Sequence, residues 1–281
     1  MALSMTIEWS LRIVPIASQH IRMPYEEWDL LPYQLGWKYE YWDACAHITP
    51  NHQTAVTVVE VTPRPVCAPC ELRPVRVEDE VPLLPIYLAT FADNQAFCDY
   101  TEAKFHEAAR QDLHDSFRGR RAPFLPASRV AVNSDAEGPR LIGAALLSRD
   151  VSYGPVLDLI FVEPRWHKRG VATALAAQAL NALALEGERT LTSTYQLANF
   201  TSQAWHRAFG FVELPDVQYA RAYYRRAQQE LHRFETRRDL VAQDREALVA
   251  AVQYWRNQIE ELERLATEQG FSAAYPRRPH W

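Results

Sequence analysis

The fold of this chain is decided by residues 162–172, which read VEPRWHKRGVA. The stretch follows Val156–Val162, an almost wholly apolar run that is typical of a strand buried on both faces. It precedes Ala172–Glu186, whose Ala- and Leu-rich composition predicts a helix. The sequence therefore predicts a buried strand joined to a helix by a short basic loop.

This loop has the composition of an anion site. Gly170 and Ala172 present almost no side chain, so the backbone N–H groups at the start of the helix can approach a ligand closely. These N–H groups have no partner within the helix, and the helix dipole is positive at this end. Lys168 and Arg169 add positive charge. The loop predicts a pyrophosphate site, although the same composition would also suit a solvated turn or a close helix–sheet contact.

Residues 71–215 alternate between strand and helix patterns. The last helix of this segment is capped by Asn199 and ends at Gly210, a C-terminal stop signal. Strands are predicted at 72–77, 128–132, 141–148, 156–162 and 190–194, and helices at about 79–92, 95–116, 172–186 and 199–210. This order predicts an α/β sandwich built on a mixed sheet.

The loop resembles the signature of the GNAT superfamily of acyl-CoA-dependent N-acyltransferases. That signature reads Gln/Arg-x-x-Gly-x-Gly/Ala after a V-x-P strand end, and here it stands at 167–172 as HKRGVA. His167 departs from the usual Arg or Gln. The stretch 199–211, NFTSQAWHRAFGF, resembles the family's second element, N-x-x-A/S…GF. The resemblance covers about residues 71–215 and implies a GNAT-like mixed β-sheet flanked by helices.

The resemblance also implies where acetyl-CoA would bind as co-substrate. Main-chain groups at the end of the buried strand would pair with the pantetheine arm and polarise the thioester carbonyl. The N–H groups of the basic loop would hold the pyrophosphate, and the short helix after the next strand would meet the pantetheine or its phosphates. The predicted CoA contacts are Ile160, Phe161, Val162, His167, Lys168, Arg169, Gly170, Val171, Ala172, Thr173, Asn199 and Ser202.

Two residues are candidates for proton transfer. Asp158 occupies the strand position where many members of the family carry a general base, and an apolar strand would raise the pKa of its carboxyl group. It would equally serve as a structural carboxylate. His206 lies four residues before the Gly-Phe pair, where the family's general acid is usually Tyr, and would equally be a surface or packing residue. Tyr195 and Tyr219 are alternatives for the acid.

The resemblance implies an N-acetyltransferase that moves an acetyl group from acetyl-CoA to an amine by direct attack in a ternary complex. The acceptor would be a small-molecule or peptide amine, and the fold does not choose between them. Two other functions stay open. One is an acyl-CoA-binding regulatory or interaction module without turnover, and the other is an interaction protein assembled through its C-terminal helix.

An N-terminal extension precedes this segment. It contains half of the eight tryptophans, Trp9 among them, and alternating runs at Lys38–Ile48 and Thr54–Val61. Alternation is typical of half-buried strands, so we expect a small antiparallel β unit. Its aromatic residues would form the core of that unit or line an acceptor pocket. The chain is thus divided into a β-rich extension at 1–70, a GNAT domain at 71–225 and a helical extension at 226–281.

The C-terminal extension predicts a long helix. Its apolar residues recur with the spacing of a coiled coil from Leu248 onward. This apolar seam continues back through Val241 but is interrupted by Arg238 and Arg245. This helix would pack on its own domain or in an intrachain or interchain pair, and an interchain pair would make a homodimer. Val217–Arg225 would begin the helix or form a last strand of the sheet. The residues with coiled-coil spacing are Leu248, Val252, Trp255, Ile259, Leu262 and Ala266.

Composition excludes several classes of function. The formal net charge of −5 and the pI of about 6.0 provide no basic field for nucleic acid. There is no run of about 18 apolar residues to span a membrane, and the N-terminus lacks the basic region of a secretory signal. Four cysteines are too few for a disulfide scaffold, so we expect a cytoplasmic protein. Cys67 and Cys70, with Cys45, His47 and His52, are ligand types suited to zinc, but their spacing matches no zinc finger or ribbon. They would bind zinc or be loop thiols, and no metal is expected.

Overall fold

The computed structural model describes residues 18–135, 138–151, 153–236 and 242–268. The strands are β1 (Gln19–Arg22), β2 (Trp37–Trp42), β3 (Cys45–Pro50), β4 (Thr54–Glu60), β5 (Glu71–Pro74), β6 (Arg129–Asp135), β7 (Gly138–Asp150), β8 (Gly154–Val162), β9 (Thr190–Gln196) and β10 (Val212–Leu214). The helices are α1 (Tyr25–Trp28), α2 (Glu80–Phe91), α3 (Glu102–Phe117), α4 (Val171–Leu185), α5 (Phe200–Phe209), α6 (Val217–Thr236) and α7 (Ala242–Glu268). Trp9, Arg238 and Val241 lie outside the described residues, as does the side chain of Ala266.

A seven-stranded mixed sheet organises the molecule, in the order β10-β4-β9-β8-β7-β6-β5. Neighbouring strands run antiparallel, except β8 and β9, which run parallel. One apolar cluster joins the sheet to α4 and α5, with Leu180 and Phe209 among its members. A second cluster on the opposite face joins it to α2 and α3, through Leu83 and Leu113. The predicted mixed α/β fold is confirmed.

One strand of the N-terminal extension belongs to this central sheet. β4 lies between β9 and β10 and pairs along its full length, from Thr54 opposite Gln196 to Glu60 opposite Thr190. The boundary expected at residue 70 therefore cuts through the sheet. The alternating pattern of β4 shows that one face is buried, but it carries no information on which strands will be its neighbours. The structure corrects the predicted division at this point.

The rest of the extension forms a second, three-stranded sheet in the order β1-β3-β2. The rings of Tyr25, Trp28 and Tyr41 pack against one another beside it. The loop before β2 reaches the central domain, where Gln95 Nε2 donates to the Gly36 carbonyl oxygen at 2.6 Å. These three rings thus pack within the extension, whereas Tyr33 packs against an apolar cluster that contains Tyr195 and Tyr219. The polar contact of Gly36 also ties the extension to the segment after α2.

The helix predicted at 95–116 begins later than expected. Gln95–Phe97 is a 3-10 turn, and α3 starts after Thr101. The Thr101 hydroxyl accepts the N–H of Lys104 at 3.3 Å, which caps α3 and separates it from the turn.

The C-terminal extension is a helical hairpin. Val217–Arg225 lies in α6, so it is helix and not a last strand. Trp255 of α7 packs against the rings of Tyr219 and Tyr223 of α6. The predicted apolar seam is therefore used within the chain, and a homodimer through this helix stays a prediction. The boundary expected at residue 225 falls inside α6.

Candidate active site

The parallel strands β8 and β9 separate shortly after they meet. They are in register only at two pairs, Val156 with Thr192 and Leu157 with Ser193. Beyond these pairs β8 continues to Val162 while its other edge stays paired with β7. β9 likewise stays paired with β4. The two strands therefore border an opening that is closed at Leu157 and Ser193 and widens toward Val162.

Asp158 marks the point of separation. On β7, Leu146 lies opposite Leu159 and Leu147 lies opposite Leu157, which leaves Asp158 without a partner as a β-bulge. A bulge bends its strand, and this bend coincides with the end of the β8–β9 pairing. The Asp158 position predicted for a general base thus lies at the closed end of the opening.

Burial raises the pKa of the Asp158 carboxyl group. A hydrogen bond with the Ser148 side chain and the positive charge of Arg121 oppose this rise, and the negative charge of Asp150 adds to it. A carboxyl group with a raised pKa is a better proton acceptor than an exposed aspartate, provided that it is ionised at the working pH.

The basic loop lies at the wide end of the opening, directly after β8. Pro164–Trp166 forms a 3-10 turn, and the backbone then passes through positive φ at Lys168 (58°) and Gly170 (82°) before α4 begins. Lys168 is thus a non-glycine residue in the left-handed region, a conformation found at ligand-binding sites. The Arg169 guanidinium lies 5.1 Å from the ring centre of Trp166.

The backbone of this loop is open to a ligand. A Cβ atom built on Gly170 would meet nothing within 4 Å. The N–H of Ala174 donates to the Gly170 carbonyl at 2.9 Å, so the N–H groups of Val171, Ala172 and Thr173 precede the first bond of the helix. No acceptor within the described ranges reaches these three N–H groups. The arrangement fits the pyrophosphate of CoA.

His167 is turned away from the loop. Its Nε2 lies 2.7 Å from the Val162 carbonyl oxygen, which also accepts the Thr90 hydroxyl at 3.0 Å. The family position that usually carries Arg or Gln therefore contacts its own strand here. Of the strand-end groups predicted to meet pantetheine, the Val162 carbonyl already has two protein donors.

Asn199 and Ser202 form the N-terminal cap of α5. The Asn199 side-chain oxygen accepts the N–H of Ser202 at 2.9 Å. Since β9 ends at Gln196, this cap lies on the β9 side of the opening, across from the basic loop. The structure thus places the two predicted CoA segments on opposite sides of the same opening.

His206 is buried, with 2% of its surface exposed. Its Nδ1 lies 2.7 Å from the Ser202 carbonyl oxygen, and its Nε2 lies 3.0 Å from the Ser193 hydroxyl. Burial lowers the pKa of His206, an effect that the Ser202 carbonyl and the negative charge of Glu213 oppose. Both ring nitrogens have protein partners, so His206 is adjacent to the opening only through Ser193.

The two tyrosines proposed as alternative acids converge on Glu213. The hydroxyls of Tyr195 and Tyr219 both donate to its carboxylate. Gln203 Nε2 lies 3.3 Å and Arg207 Nη2 lies 3.0 Å from the same carboxylate. Burial raises the pKa of both tyrosines, and their hydrogen bonds to Glu213 add to the rise. These hydroxyls are held in a structural network.

Ser193 and Glu213 are the residues near the site that sequence reasoning missed. Ser193 lies in the polar strand TLTSTYQ, and Glu213 lies in a three-residue strand. A hydroxyl in a Thr- and Ser-rich strand gives no functional signal.

The four cysteines are free thiols. In the parts of the chain that are described, no group of three or more His, Cys, Asp or Glu side chains is placed to hold a metal ion. The same parts contain no helix with the length and apolar character needed to cross a bilayer.

Residues 86–211 match the model of the acetyltransferase (GNAT) family. These residues form a GNAT acetyltransferase domain. Its matched range begins within α2 and ends after α5, so it contains the opening, the basic loop and the α5 cap. β4, which completes the sheet of the GNAT domain, lies before the matched range.

Several solved structures are similar to part of this chain. A GCN5-related N-acetyltransferase from Sphaerobacter thermophilus is 18% identical over 57% of this chain and 48% of that one, with a TM-score of 0.42. This chain thus spans about half the length of that relative. The aminoglycoside N-acetyltransferase AAC(6')-Iy, solved in complex with CoA, is 22% identical over 55% of this chain and 93% of that one, with a TM-score of 0.37. The PaiA N-acetyltransferase from Thermoplasma acidophilum, in complex with coenzyme A, is 17% identical over 43% and 75%, with a TM-score of 0.33. No curated protein matches the chain.

Proposed function

We propose that this chain is an N-acetyltransferase that moves an acetyl group from acetyl-CoA to an amine by direct attack in a ternary complex. The observation that carries the proposal is the separation of β8 and β9 at the bulged Asp158, with a loop of free N–H groups at the wide end. One end of this opening suits a diphosphate and the other end holds a carboxylate. Between the two ends, β8 has no strand partner on its β9 edge, while its other edge stays paired with β7.

The acetyl donor, acetyl-CoA, would be held mainly by backbone groups. The N–H groups of Val171, Ala172 and Thr173 would bind the pyrophosphate, assisted by the charges of Lys168 and Arg169. On a strand, every second residue directs its N–H and C=O to the same edge, so the end of β8 presents such groups to the opening. These groups would align the pantetheine arm and polarise the thioester carbonyl.

Asp158 would act as the base. The amine nitrogen attacks the thioester carbon and must lose a proton, which the Asp158 carboxylate accepts directly or through water. The burial that raises its pKa also lowers the cost of protonating it during the reaction. Ser148 keeps the carboxylate in place.

The acceptor is proposed only as a class, a small-molecule or peptide amine. Two measurements on the purified chain test the proposed transferase against its alternative, a CoA-binding module without turnover. Calorimetry with CoA tests binding, and thiol release with acetyl-CoA and a panel of amines tests turnover. Mass spectrometry of the product identifies the acetylated nitrogen.

Turnover with at least one amine, abolished in Asp158→Asn, supports the proposal. A matched control is Asp244→Asn, which removes an exposed carboxylate on α7, remote from the opening. CoA binding without thiol release for any amine would favour the binding module instead. A chain that does not bind CoA would overturn both.

A further inference from the structure

A series of hydrogen bonds that runs from Ser202 through His206 and Ser193 to Leu157 lies at the closed end of the opening. His206 Nδ1 lies 2.7 Å from the Ser202 carbonyl oxygen, and His206 Nε2 lies 3.0 Å from Ser193 Oγ. Ser193 Oγ in turn lies 3.1 Å from the Leu157 carbonyl oxygen on β8. A side-chain hydroxyl therefore spans the two strands at the last pair where they are in register.

The positions of the His206 and Ser193 protons in this series of hydrogen bonds can be assigned. The Ser202 carbonyl only accepts hydrogen bonds, so Nδ1 of His206 carries a proton. In the neutral imidazole the other nitrogen, Nε2, is then an acceptor. The single proton of the Ser193 hydroxyl faces two acceptors, His206 Nε2 and the Leu157 carbonyl, and serves one at a time. It is a donor that can turn between partners by rotation about one bond.

The Ser193 hydroxyl lies where the pantetheine arm of a bound acyl-CoA would end. The basic loop follows Val162 at the wide end of the opening, and Asp158 stands next to Leu157 at the closed end. An arm that extends from the loop to the proposed base therefore ends beside Leu157 and Ser193.

We propose that the Ser193 hydroxyl donates a hydrogen bond to the sulfur of CoA as it leaves, and that His206 is the positioning residue that holds this hydroxyl. The inference rests on the proposed acyl transfer. As the bond between the carbonyl carbon and sulfur breaks, the electron pair stays on sulfur, and Ser193 turns its proton toward the new thiolate. The proton remains on the Ser193 oxygen, and the amine proton goes to Asp158. The thiolate is protonated by solvent after release.

The surroundings of His206 suit a holding role. Tyr195, Trp205 and Phe211 pack around the ring, and the charged group that acts on it is Glu213. These contacts fix the imidazole plane, so that Nε2 stays directed at Ser193. A neutral ring in a fixed position sets where the serine oxygen lies without competing for the thiolate.

The test compares Ser193→Ala with Ser193→Thr, which keeps a hydroxyl. The matched control is Thr57→Val, because the Thr57 hydroxyl donates to the Ser193 carbonyl at 3.0 Å, from the neighbouring strand. This control removes a buried hydrogen bond to the same residue and leaves the Ser193 hydroxyl intact. Two quantities are measured: the pKa of the thiol of bound CoA, from its ultraviolet thiolate absorbance, and kcat with KM for acetyl-CoA.

Loss of a hydrogen bond to a charged sulfur should lower kcat of Ser193→Ala roughly tenfold to a hundredfold and change KM for acetyl-CoA less than about threefold. The thiol pKa of bound CoA should rise by about one to two units in this variant. Ser193→Thr should recover most of both effects, and Thr57→Val should show neither. His206→Ala should change both in the direction of Ser193→Ala, and His206→Gln, whose amide reaches as far as Nε2, should recover part of the loss.

Equal thiol pKa values and equal kcat in Ser193→Ala and Thr57→Val would overturn the assignment of Ser193. The proposed function would survive that result, since the wild-type chain would still transfer acetyl groups. Conversely, a wild-type chain that binds CoA without turnover would overturn the proposed function, while the thiol pKa would still decide whether Ser193 faces the sulfur.

Discussion

His167 is hydrogen-bonded to the strand that precedes it, with Nε2 2.7 Å from the carbonyl oxygen of Val162. In the GNAT signature this position is Arg or Gln, whereas here it is a His whose side chain ties the loop to the end of β8. The proposed pyrophosphate site therefore consists of the loop backbone with Lys168 and Arg169, without the side chain of His167. Because the His167 side chain bonds to β8, its loss should affect the stability of the fold more than the affinity for CoA.

We expect His167→Ala to lower the free energy of unfolding by about 1 kcal/mol, because one hydrogen bond to the Val162 carbonyl is lost. The affinity for CoA should fall less than about tenfold, since the N–H groups of α4 remain in place. Thermal unfolding and calorimetry with CoA measure the two effects. A hundredfold loss of affinity at unchanged stability would contradict this assignment.

Gly170 allows a direct test of the loop as the diphosphate site. We expect Gly170→Glu to weaken CoA binding at least about a hundredfold, because it adds bulk and negative charge to the proposed site. Gly170→Ala is the matched control. Both variants pay the cost of positive φ in a non-glycine residue, about 1–2 kcal/mol, but a Cβ alone meets nothing within 4 Å. If the two variants bind CoA equally well, the diphosphate does not lie on Gly170.

Asp158→Asn should separate activity from stability. We expect kcat to fall roughly 10²–10⁴-fold, the usual contribution of a general base. The folded-state pKa of Asp158 is raised, so its ionised form destabilises the folded state at neutral pH. The free energy of unfolding at pH 7 should therefore be higher in Asp158→Asn than in the wild type, and the difference should vanish at low pH, where the carboxyl group is protonated in both states. Chemical denaturation at several pH values measures this, and a less stable variant at pH 7 would contradict the burial argument.

The stability of the chain should also depend on His206. Its folded-state pKa is lowered from 6.5 by burial, so below pH 6.5 the unfolded chain takes up a proton that the folded chain does not. The contribution of this group is fully present above about pH 6.5 and is lost as the pH falls toward the lowered folded-state pKa. We expect the wild type to lose more stability than His206→Gln over this window. Parallel slopes for the two proteins would show that His206 titrates normally.

A chain that starts at residue 71 should not fold to the native sheet, although the family match starts at residue 86. Such a chain lacks β4, which pairs with β9 on one side and β10 on the other. Its removal exposes the edge of β9 and leaves β10 without a partner strand in the sheet. We expect no cooperative thermal transition and no CoA binding, as seen by calorimetry. A truncated chain that melts cooperatively and binds CoA would show that β4 is dispensable.

Local features of the fold could be predicted because they depend on neighbouring residues. The apolar run of β8, the glycine at the start of α4 and the Asn199 cap of α5 each act over a few positions, and each is present in the structure. The GNAT resemblance then ordered these elements and located the loop. The fold and the family could thus be deduced from short-range patterns.

Features that depend on partners distant in the chain could not be predicted. The insertion of β4 beside β9 depends on pairing that alternation does not encode. The bulge at Asp158 depends on the length of β7 relative to β8. The link from His206 to Ser193 depends on how α5 lies against β9. The sequence therefore left His206 open as an acid or as a surface or packing residue, and the structure has a buried ring.

The position of β4 has a consequence for synthesis. During translation β4 leaves the ribosome well before β9, since Glu60 pairs with Thr190 and Val58 with Val212. The nascent chain must therefore keep an apolar strand from aggregating until the acyltransferase segment is complete. The early strand therefore takes its place between two late ones, and neither of its partner strands exists until residues 190–214 have been synthesised.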